Sequence, residues 1–486
     1  MADRAAILRA WAETRWAMAT VRSRAALERR QARLWRRMTP AITATPALAP
    51  LAGRPLSDFP VRSPAEIRGD VDRWNSLGIS EAEARSAAEA AEATPKDIRL
   101  LPFEGRWQPE GLTEGWQNIR NCTDSELRSD ASNPSTTAYG GGPPPLQGGF
   151  CSSLRSEWAA AEHSEPTLLP GGIAAGFSTG TSGARGLFLA SPSERARYVG
   201  QALARLLAPA ALLSAKRIAL CLRADSPLYR DVGAAGRFVF NFVPLSLPPA
   251  DRVAAIVQFD PHVLIAPPHE LAELARVSAK LPSLERLFYG AEPMGDAERS
   301  WITPRLGVRP DPVYQATEGF LGAPCQLGIL HLNEHDMVLE LEPIPGTRRF
   351  RPIVTDLRRT TQPIVRIRLD DLIEPLDGPC RCGAVTRAVR PVEGRIDDLW
   401  RWDGGVVCPR DVEDVLAMAL GADADWRAMA GPSGVVVETD NQATAVAALS
   451  AWLAASGIDK PVTARRSTGH DAEPKRRRIR WVSDHG

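Results

Sequence analysis

After residue 170 short apolar runs alternate with helical patterns, and this alternation limits the possible folds more than any other feature of the chain. The runs fall at 217–222, 238–245, 263–266, 286–289 and 312–315. One intervening helical pattern opens at Ser191-Pro192-Ser193-Glu194, a capping box with proline at the first helical position. Strands separated by helices predict an α/β domain with a substantially parallel sheet. Sites in such sheets form at the carboxyl ends of the strands, so the turns after these runs are the places to look for chemistry.

The rest of the chain is organised around that block. Residues 1–38 read as helix, with Leu8, Trp11, Trp16, Leu27 and Leu34 at broadly helical spacing. Residues 39–90 are mixed, with Pro46, Pro50, Pro55 and Pro60 ahead of a helical Ala/Glu run that ends near 93. Residues 94–168 lose periodicity, and 128–150 are crowded with Ser, Thr, Gly and Pro. An irregular stretch of about 70 residues far exceeds the roughly 12–15 usual within a compact domain. It reads as an inserted, largely disordered segment, with a functional lid as the rival. Past 395 comes a smaller unit: a hairpin at Asp403-Gly404-Gly405, a helix over 410–420, a strand over 435–438, a helix over 443–455 and a basic tail.

Composition removes several classes. With 44% apolar and 24% charged residues the chain is of ordinary globular type, and its net charge of +1 gives no field for nucleic acid or an anionic membrane. No apolar run approaches the roughly 20 residues that cross a bilayer, and the Arg-rich N-terminus lacks a secretory core. The expectation is a cytoplasmic enzyme with no membrane or nucleic-acid partner; oligomeric state is open. Seven cysteines, an odd number in a long chain, point to reduced thiols, some of them metal-bound.

The first chemical motif is Ser178-Thr179-Gly180-Thr181-Ser182-Gly183-Ala184-Arg185-Gly186, placed before the strand-like Leu187-Phe188-Leu189. Its glycines permit close backbone approach to an anion, and its hydroxyls and N–H groups can donate to phosphate oxygens. It lacks the lysine pattern of a Walker loop. This segment resembles the phosphate loop of the adenylate-forming superfamily, and later motifs follow in the order of that family. Tyr289-Gly290-Ala291-Glu292-Pro293 resembles the segment flanking adenine, and Tyr314-Gln315-Ala316-Thr317-Glu318 the Y-x-x-T-E motif. Thr355-Asp356-Leu357 and Pro363-Ile364-Val365-Arg366-Ile367-Arg368-Leu369-Asp370-Asp371-Leu372 resemble P-x-I-R-Y-R-x-x-D-L and its preceding segment. Gly394-Arg395-Ile396-Asp397-Asp398 resembles the hinge. Within the superfamily the chain is similar to the phenylacetate–CoA ligase branch, with its relatives that adenylylate a deazaflavin coenzyme. Pro379-Cys380-Arg381-Cys382-Gly383 and Gly405-Val406-Val407-Cys408-Pro409 carry that likeness.

The resemblance implies a large domain over 1–394 and a small α+β lid over 395–486, with substrates ATP, a carboxylic acid and CoA. Asp371 would accept from the ribose hydroxyls, Glu318 would hold Mg²⁺, and Thr317 would donate to the α-phosphate. Ser178, Thr179, Gly180, Thr181, Ser182 and Gly183 would cradle phosphate. Gly290, Ala291, Glu292 and Tyr314 would frame the nucleotide, and Arg395 would reach ribose or phosphate. The family's small-domain lysine matches Lys475, although the usual preceding glycine is missing; Lys460 is the other lysine there. The mix of Phe240, Phe242, Phe288, Tyr289 and Pro267 around the expected acyl pocket suggests an apolar acid, with an aromatic acid as the candidate. Two competing functions stay open: transfer that leaves AMP on a hydroxyl of a coenzyme-like acceptor, and a non-catalytic relic spoiled by the insertion.

A separate set is Cys325 and His331, five residues apart in the gap between them, with Cys380 and Cys382 one residue apart in theirs. Four soft ligands would close a tetrahedron around a structural Zn²⁺. Reduced, partly buried cysteines beside a hydrogen-bonded histidine form the competing reading.

Overall fold

Asp3 accepts from the Ala5 amide and Ser23 from the Ala26 amide, so two caps start two helices near the N-terminus. The computed structural model describes residues 3–93, 168–177, 186–223, 231–235, 238–467 and 477–482. Contacts divide the chain into one unit of Met1–Glu92 with Thr167–Gly486 and another of Ala93–Pro166. The second, which holds the segment read as an insertion, lies almost wholly outside the described residues. The single helix expected over 1–38 is thus α1 (Arg4–Thr20) and α2 (Arg24–Arg37), broken where Val21 turns extended. α3 (Thr39–Ala44), α4 (Pro64–Arg68) and α5 (Glu81–Ala93) follow.

β1 (Ala174–Phe177) and β2 (Leu187–Ala190) pair antiparallel. α6 (Pro192–Leu206) begins at the expected capping box: Glu194 N–H donates to Ser191 Oγ at 3.3 Å, and Ser191 N–H donates to the Glu194 carboxylate at 2.8 Å. The alternating block then folds as β3 (Lys216–Leu222), β4 (Phe238–Pro244), α7 (Pro249–Phe259), β5 (Val263–Ala266), α8 (Pro268–Arg276), β6 (Arg286–Tyr289), α9 (Asp296–Leu306) and β7 (Pro310–Pro312). These strands make a parallel five-stranded sheet in the order β4-β3-β5-β6-β7. The α/β expectation holds.

One expected strand divides. The run at 312–315 is split at Val313, which donates to Tyr289 O at 2.8 Å. Pro310 and Pro312 suit β7 to a sheet edge, where lost donors cost least. β8 (Tyr314–Ala316) instead joins an antiparallel sheet with β9 (Gly319–Pro324) and β10 (Leu330–Leu332). β11 (Met337–Pro343), β12 (Phe350–Asp356) and β13 (Ile367–Arg368) form another, and β14 (Ala388–Val389) pairs with β10.

Two of the apolar cores among the described residues position the site. Met38, Ile42, Phe59 and Trp74 pack on Tyr314, Leu332 and Ile367, so the irregular N-terminal stretch serves as a wall for the antiparallel sheets. Ile7 shares a second core with Val199 and Leu203 of α6 and with Ile218 and Val263 of the parallel sheet. At Gly200 a Cβ would meet Ile7 O at 2.5 Å, so only glycine allows α1 and α6 to approach this closely.

β15 (Trp400–Trp402) and β16 (Gly405–Val407) form the expected hairpin. α10 (Pro409–Leu420), β17 (Trp426–Gly431), β18 (Gly434–Thr439), α11 (Gln442–Ala455), β19 (Val462–Arg465) and β20 (Ile479–Trp481) complete the chain. The sheet runs β19-β18-β17-β20 over a core of Trp400, Trp426, Leu416, Leu449 and Leu453. The basic tail contributes β20, parallel to β17. Arg478 lies over the Trp426 ring at 5.0 Å and pairs with Glu413 at 3.6 Å and Glu298 at 3.7 Å. Among the described residues no helix is long and apolar enough to cross a membrane.

Candidate active site

A cavity of about 670 Å³ opens at the carboxyl ends of β5 and β6, where a parallel sheet places its ligands. Its walls include Gly290, Ala291, Glu292, Tyr314, Thr317, Glu318, Asp371 and Arg395, which the sequence had scattered over more than a hundred positions.

The turn after β6 brings backbone to the cavity. Ala291 adopts φ 69°, a conformation unusual for a residue with a side chain, and a Cβ on Gly290 would sit 3.1 Å from Val313 O. Glu292 is buried, and His269 Nδ1 stands 3.0 and 2.9 Å from its two carboxylate oxygens. This pair fixes the end of the turn, and sequence reading did not anticipate His269.

Tyr314 stands at the start of β8, and its hydroxyl donates to Asp371 at 2.7 Å. Burial, together with the Asp371 carboxylate, lifts the phenol well above its usual range, so it remains a donor. Asp371 bridges to Arg395 across an antiparallel backbone contact, which puts both on one wall. The Arg395 amide donates to Asp398 at 2.8 Å, and Arg477 pairs with the other oxygen of Asp398.

Thr317 and Glu318 are the turn between β8 and β9. Burial raises the Glu318 carboxyl above its ordinary range, with Arg68 and Arg359 partly opposing. A buried carboxylate is costly unless a cation meets it, so the position suits a metal held together with phosphate. Arg359 donates to Thr317 O at 2.7 Å and to Gln362 Oε1 at 2.7 Å. The same Gln362 oxygen accepts from the Leu189 amide at 3.2 Å. This chain of bonds ties the 317–318 turn to β2, the strand that follows the glycine-rich loop. Arg359 and Gln362 went unread because an arginine among many arginines gives no signal. Nearby Asp356 accepts from the Arg358 and Arg359 amides at 2.8 and 3.2 Å, while burial pushes its carboxyl up to about 6.

Ser178, Thr179, Gly180, Thr181, Ser182, Gly183 and Lys475 lie outside the described residues. Their flanks do not: Phe177 and Phe188 on one side and Arg477 and Arg478 on the other line the cavity. Lys460 is half-buried and donates to Pro432 O at 2.9 Å.

The four expected soft ligands come together. Ligand atoms of Cys325, His331, Cys380 and Cys382 all lie within 4.8 Å of one another, and Cys382 Sγ is 3.4 Å from His331 Nε2. Ligands around zinc stand roughly 3.3–3.8 Å apart for bonds of about 2.0–2.3 Å, so the set fits with small adjustments. His331 Nδ1 lies 3.0 Å from Thr386 O, which fixes the tautomer that turns Nε2 toward the thiols. Burial lowers the His331 pKa and keeps the ring neutral, as a ligand must be. Gly383, at φ 76°, closes the turn whose amide returns to Cys380 O at 3.0 Å. Cys221 and Cys408 are buried elsewhere.

A parallel sheet ending in a cavity with this tyrosine–aspartate pair, buried glutamate and arginine resembles the nucleotide site of the adenylate-forming enzymes. Over 203 residues the chain is 28% identical to phenylacetate–coenzyme A ligase of Thermus thermophilus, a match covering 38% of this chain and 45% of that protein. The chain therefore spans less than half the length of this relative. Its fold is similar to that of a 2-hydroxyisobutyryl-CoA ligase in complex with 2-HIB-AMP, at 18% identity and a TM-score of 0.49, over 69% of this chain and 79% of that one. An amide bond synthetase from Marinactinospora thermotolerans is similar at 16% identity and a TM-score of 0.46, over 62% of this chain and 67% of that one. No family model matches the chain.

Proposed function

We propose that this protein is an ATP-dependent ligase that joins a carboxylic acid to AMP and then passes the acyl group to the thiol of CoA. The supporting observation is the convergence of Tyr314, Thr317, Glu318, Asp371 and Arg395 on one cavity at the sheet's carboxyl edge. In the first step an oxygen of the acid attacks the α-phosphorus of ATP, the bond to the bridging oxygen breaks, and pyrophosphate leaves with the electron pair. In the second the CoA thiol, losing its proton, attacks the acyl carbon and expels AMP.

The chain's own groups supply position and charge. Asp371, held by Tyr314, accepts from the ribose hydroxyls. Thr317, on a turn braced by Arg359, donates to the α-phosphate. Glu318 would hold Mg²⁺, whose charge neutralises phosphate oxygens when bound. The 178–183 loop cradles the outgoing phosphates, and Lys475 meets the charge that grows on the α-phosphate. Residues 395–486 act as a lid that turns about Asp397 between the two steps. Cys325, His331, Cys380 and Cys382 would hold a structural Zn²⁺.

The decisive experiment is ATP–pyrophosphate exchange over a panel of acids, followed by thioester detection with CoA. Acid-dependent exchange that Glu318→Gln lowers tenfold to a thousandfold, on the scale of one preorganised electrostatic partner, supports the ligase. A stable AMP conjugate on a hydroxyl acceptor, or ATP binding without any turnover, overturns it.

A further inference from the structure

The cavity extends past Thr317, Glu318 and Asp371, the residues proposed to meet the nucleotide. It continues between α6 and one face of the parallel sheet, past Ala202, Leu206, Leu207, Ile218, Phe240 and Val263. Resting on the ligase reading above, we infer that the acid activated here is aliphatic, with an unbranched tail of medium length that occupies this channel.

Two independent rulers give its depth. From Leu222 to Ile218 the lining descends four residues along β3, about 13 Å at about 3.3 Å per residue. From Tyr198 to Leu207 it descends nine positions along and just beyond α6, again about 13 Å at 1.5 Å per residue. The helix runs opposite to the strands, so both rulers point from the carboxyl edge toward the closed end. An extended alkyl chain advances by about 1.3 Å per carbon, so this depth admits on the order of ten carbons.

The polarity changes along the way. Near the mouth Tyr198 donates to Gln315 at 2.6 Å and Gln201 donates to Asp336 at 2.9 Å, so these polar groups are engaged with protein partners. Beyond Ala202 the described lining is Leu, Ile, Val and Phe. Leu203, Leu207, Ile218 and Val263 are each at most 8% exposed. Protein cores rarely leave voids larger than a water, and apolar voids that persist take up hydrocarbon rather than water. The register explains why the channel has one character: Ile218 sits beside Phe240 and Val263, and Leu220 beside Ile265, all on the face that meets α6.

The test uses the full chain and acyl-sulfamoyl adenosines, stable mimics of an acyl-adenylate, with butanoyl, decanoyl and phenylacetyl groups. The decanoyl mimic is expected to bind at least tenfold more tightly than either of the others. Ala202→Phe, which plugs the channel midway, should erase at least tenfold of the decanoyl preference over butanoyl. Ala202→Leu carries the same expectation with a smaller shift should the phenylalanine variant fail to fold. Equal affinity for butanoyl and decanoyl mimics, a phenylacetyl preference, or a decanoyl preference untouched by both variants overturns the channel. Failure of the ligase reading looks different: no acid supports exchange and adenosine sulfamate itself does not bind. In that event equilibrium dialysis of free decanoate against butyrate still decides the channel, because tighter decanoate binding lost in Ala202→Phe supports it and equal binding refutes it.

Discussion

The Tyr314 hydroxyl and the Asp371 carboxylate meet at 2.7 Å across 57 positions of sequence, one on the first strand of an antiparallel sheet and the other just beyond β13. The phenol is buried and remains protonated, so it gives its hydrogen to the carboxylate and orients Asp371. Tyr314→Phe keeps the ring packing and removes that one donor. The KM for ATP should rise about tenfold, from the loss of one charge-assisted hydrogen bond worth about 1.5 kcal/mol. Steady-state exchange with varied ATP reads this out, and an unchanged KM would show that Asp371 does not meet the nucleotide.

Lys475 and Lys460 separate the two half-reactions. Charge grows on the α-phosphate only while ATP is attacked, so Lys475→Ala should abolish most pyrophosphate exchange yet largely spare thioester formation from a supplied acyl-adenylate. Lys460→Ala, which removes only an exposed bond to Pro432 O, should leave both steps near wild type. Exchange lost in Lys460→Ala but kept in Lys475→Ala would reverse the assignment, and equal damage to both steps would remove the lid from the account.

Much of this was readable before any coordinates. Runs at 217–222, 238–245, 263–266 and 286–289 became β3 to β6 within a residue or so, because buried parallel strands are continuous apolar stretches with helices between. The run at 312–315 misled because periodicity cannot show a chain changing sheets at Val313. The tail at 477–482 was hidden by its arginines, whose stems pack while their heads find Glu298, Glu413 and Asp398. Among site residues, Glu318, Asp371 and Arg395 stand in recognisable motifs. His269, Arg359 and Gln362 act by bonding to those motifs from elsewhere, and no local pattern records such a role.

Acid should weaken the fold through His335 and Asp336, which sit together between α2 and α6. Burial, reinforced by Arg205, holds His335 at about 3 against an ordinary 6.5, and its Nε2 is buried without a partner among the described residues. The unfolded chain takes up this proton near 6.5 while the folded chain refuses it until about 3, so stability is lost as pH falls through that window. Asp336 adds to the loss at still lower pH: burial works against its charge, but Arg358, Arg30 and Arg205 outweigh it and hold the carboxyl well below its usual range. Urea midpoints should fall between pH 6.5 and 4 by an amount on the order of 1–3 kcal/mol, and His335→Leu should flatten that slope. An equally steep slope in the variant would exclude His335 as the source.

The metal prediction is stoichiometric. Elemental measurement should find about one zinc per chain, and Cys382→Ser should lose metal and thermal stability together, because binding energy at a closed site is also folding energy. A metal-free wild type with undiminished stability would leave the four residues as ordinary reduced thiols beside a histidine.

His331 and Cys382 also have a topological effect. Their 3.4 Å contact pinches the 331–382 stretch at its base, and the stretch so enclosed carries Asp356, Arg359 and Asp371. A contact at the neck of a long excursion closes a large loop, and the entropic cost of closing it grows only slowly with the length enclosed. The stretch can therefore lengthen or diverge at its exposed turns, such as the one at Pro345 and Gly346, at little thermodynamic cost while its two ends stay pinned. Loosening the neck would therefore reach Asp356, Arg359 and Asp371 from outside the cavity that they line.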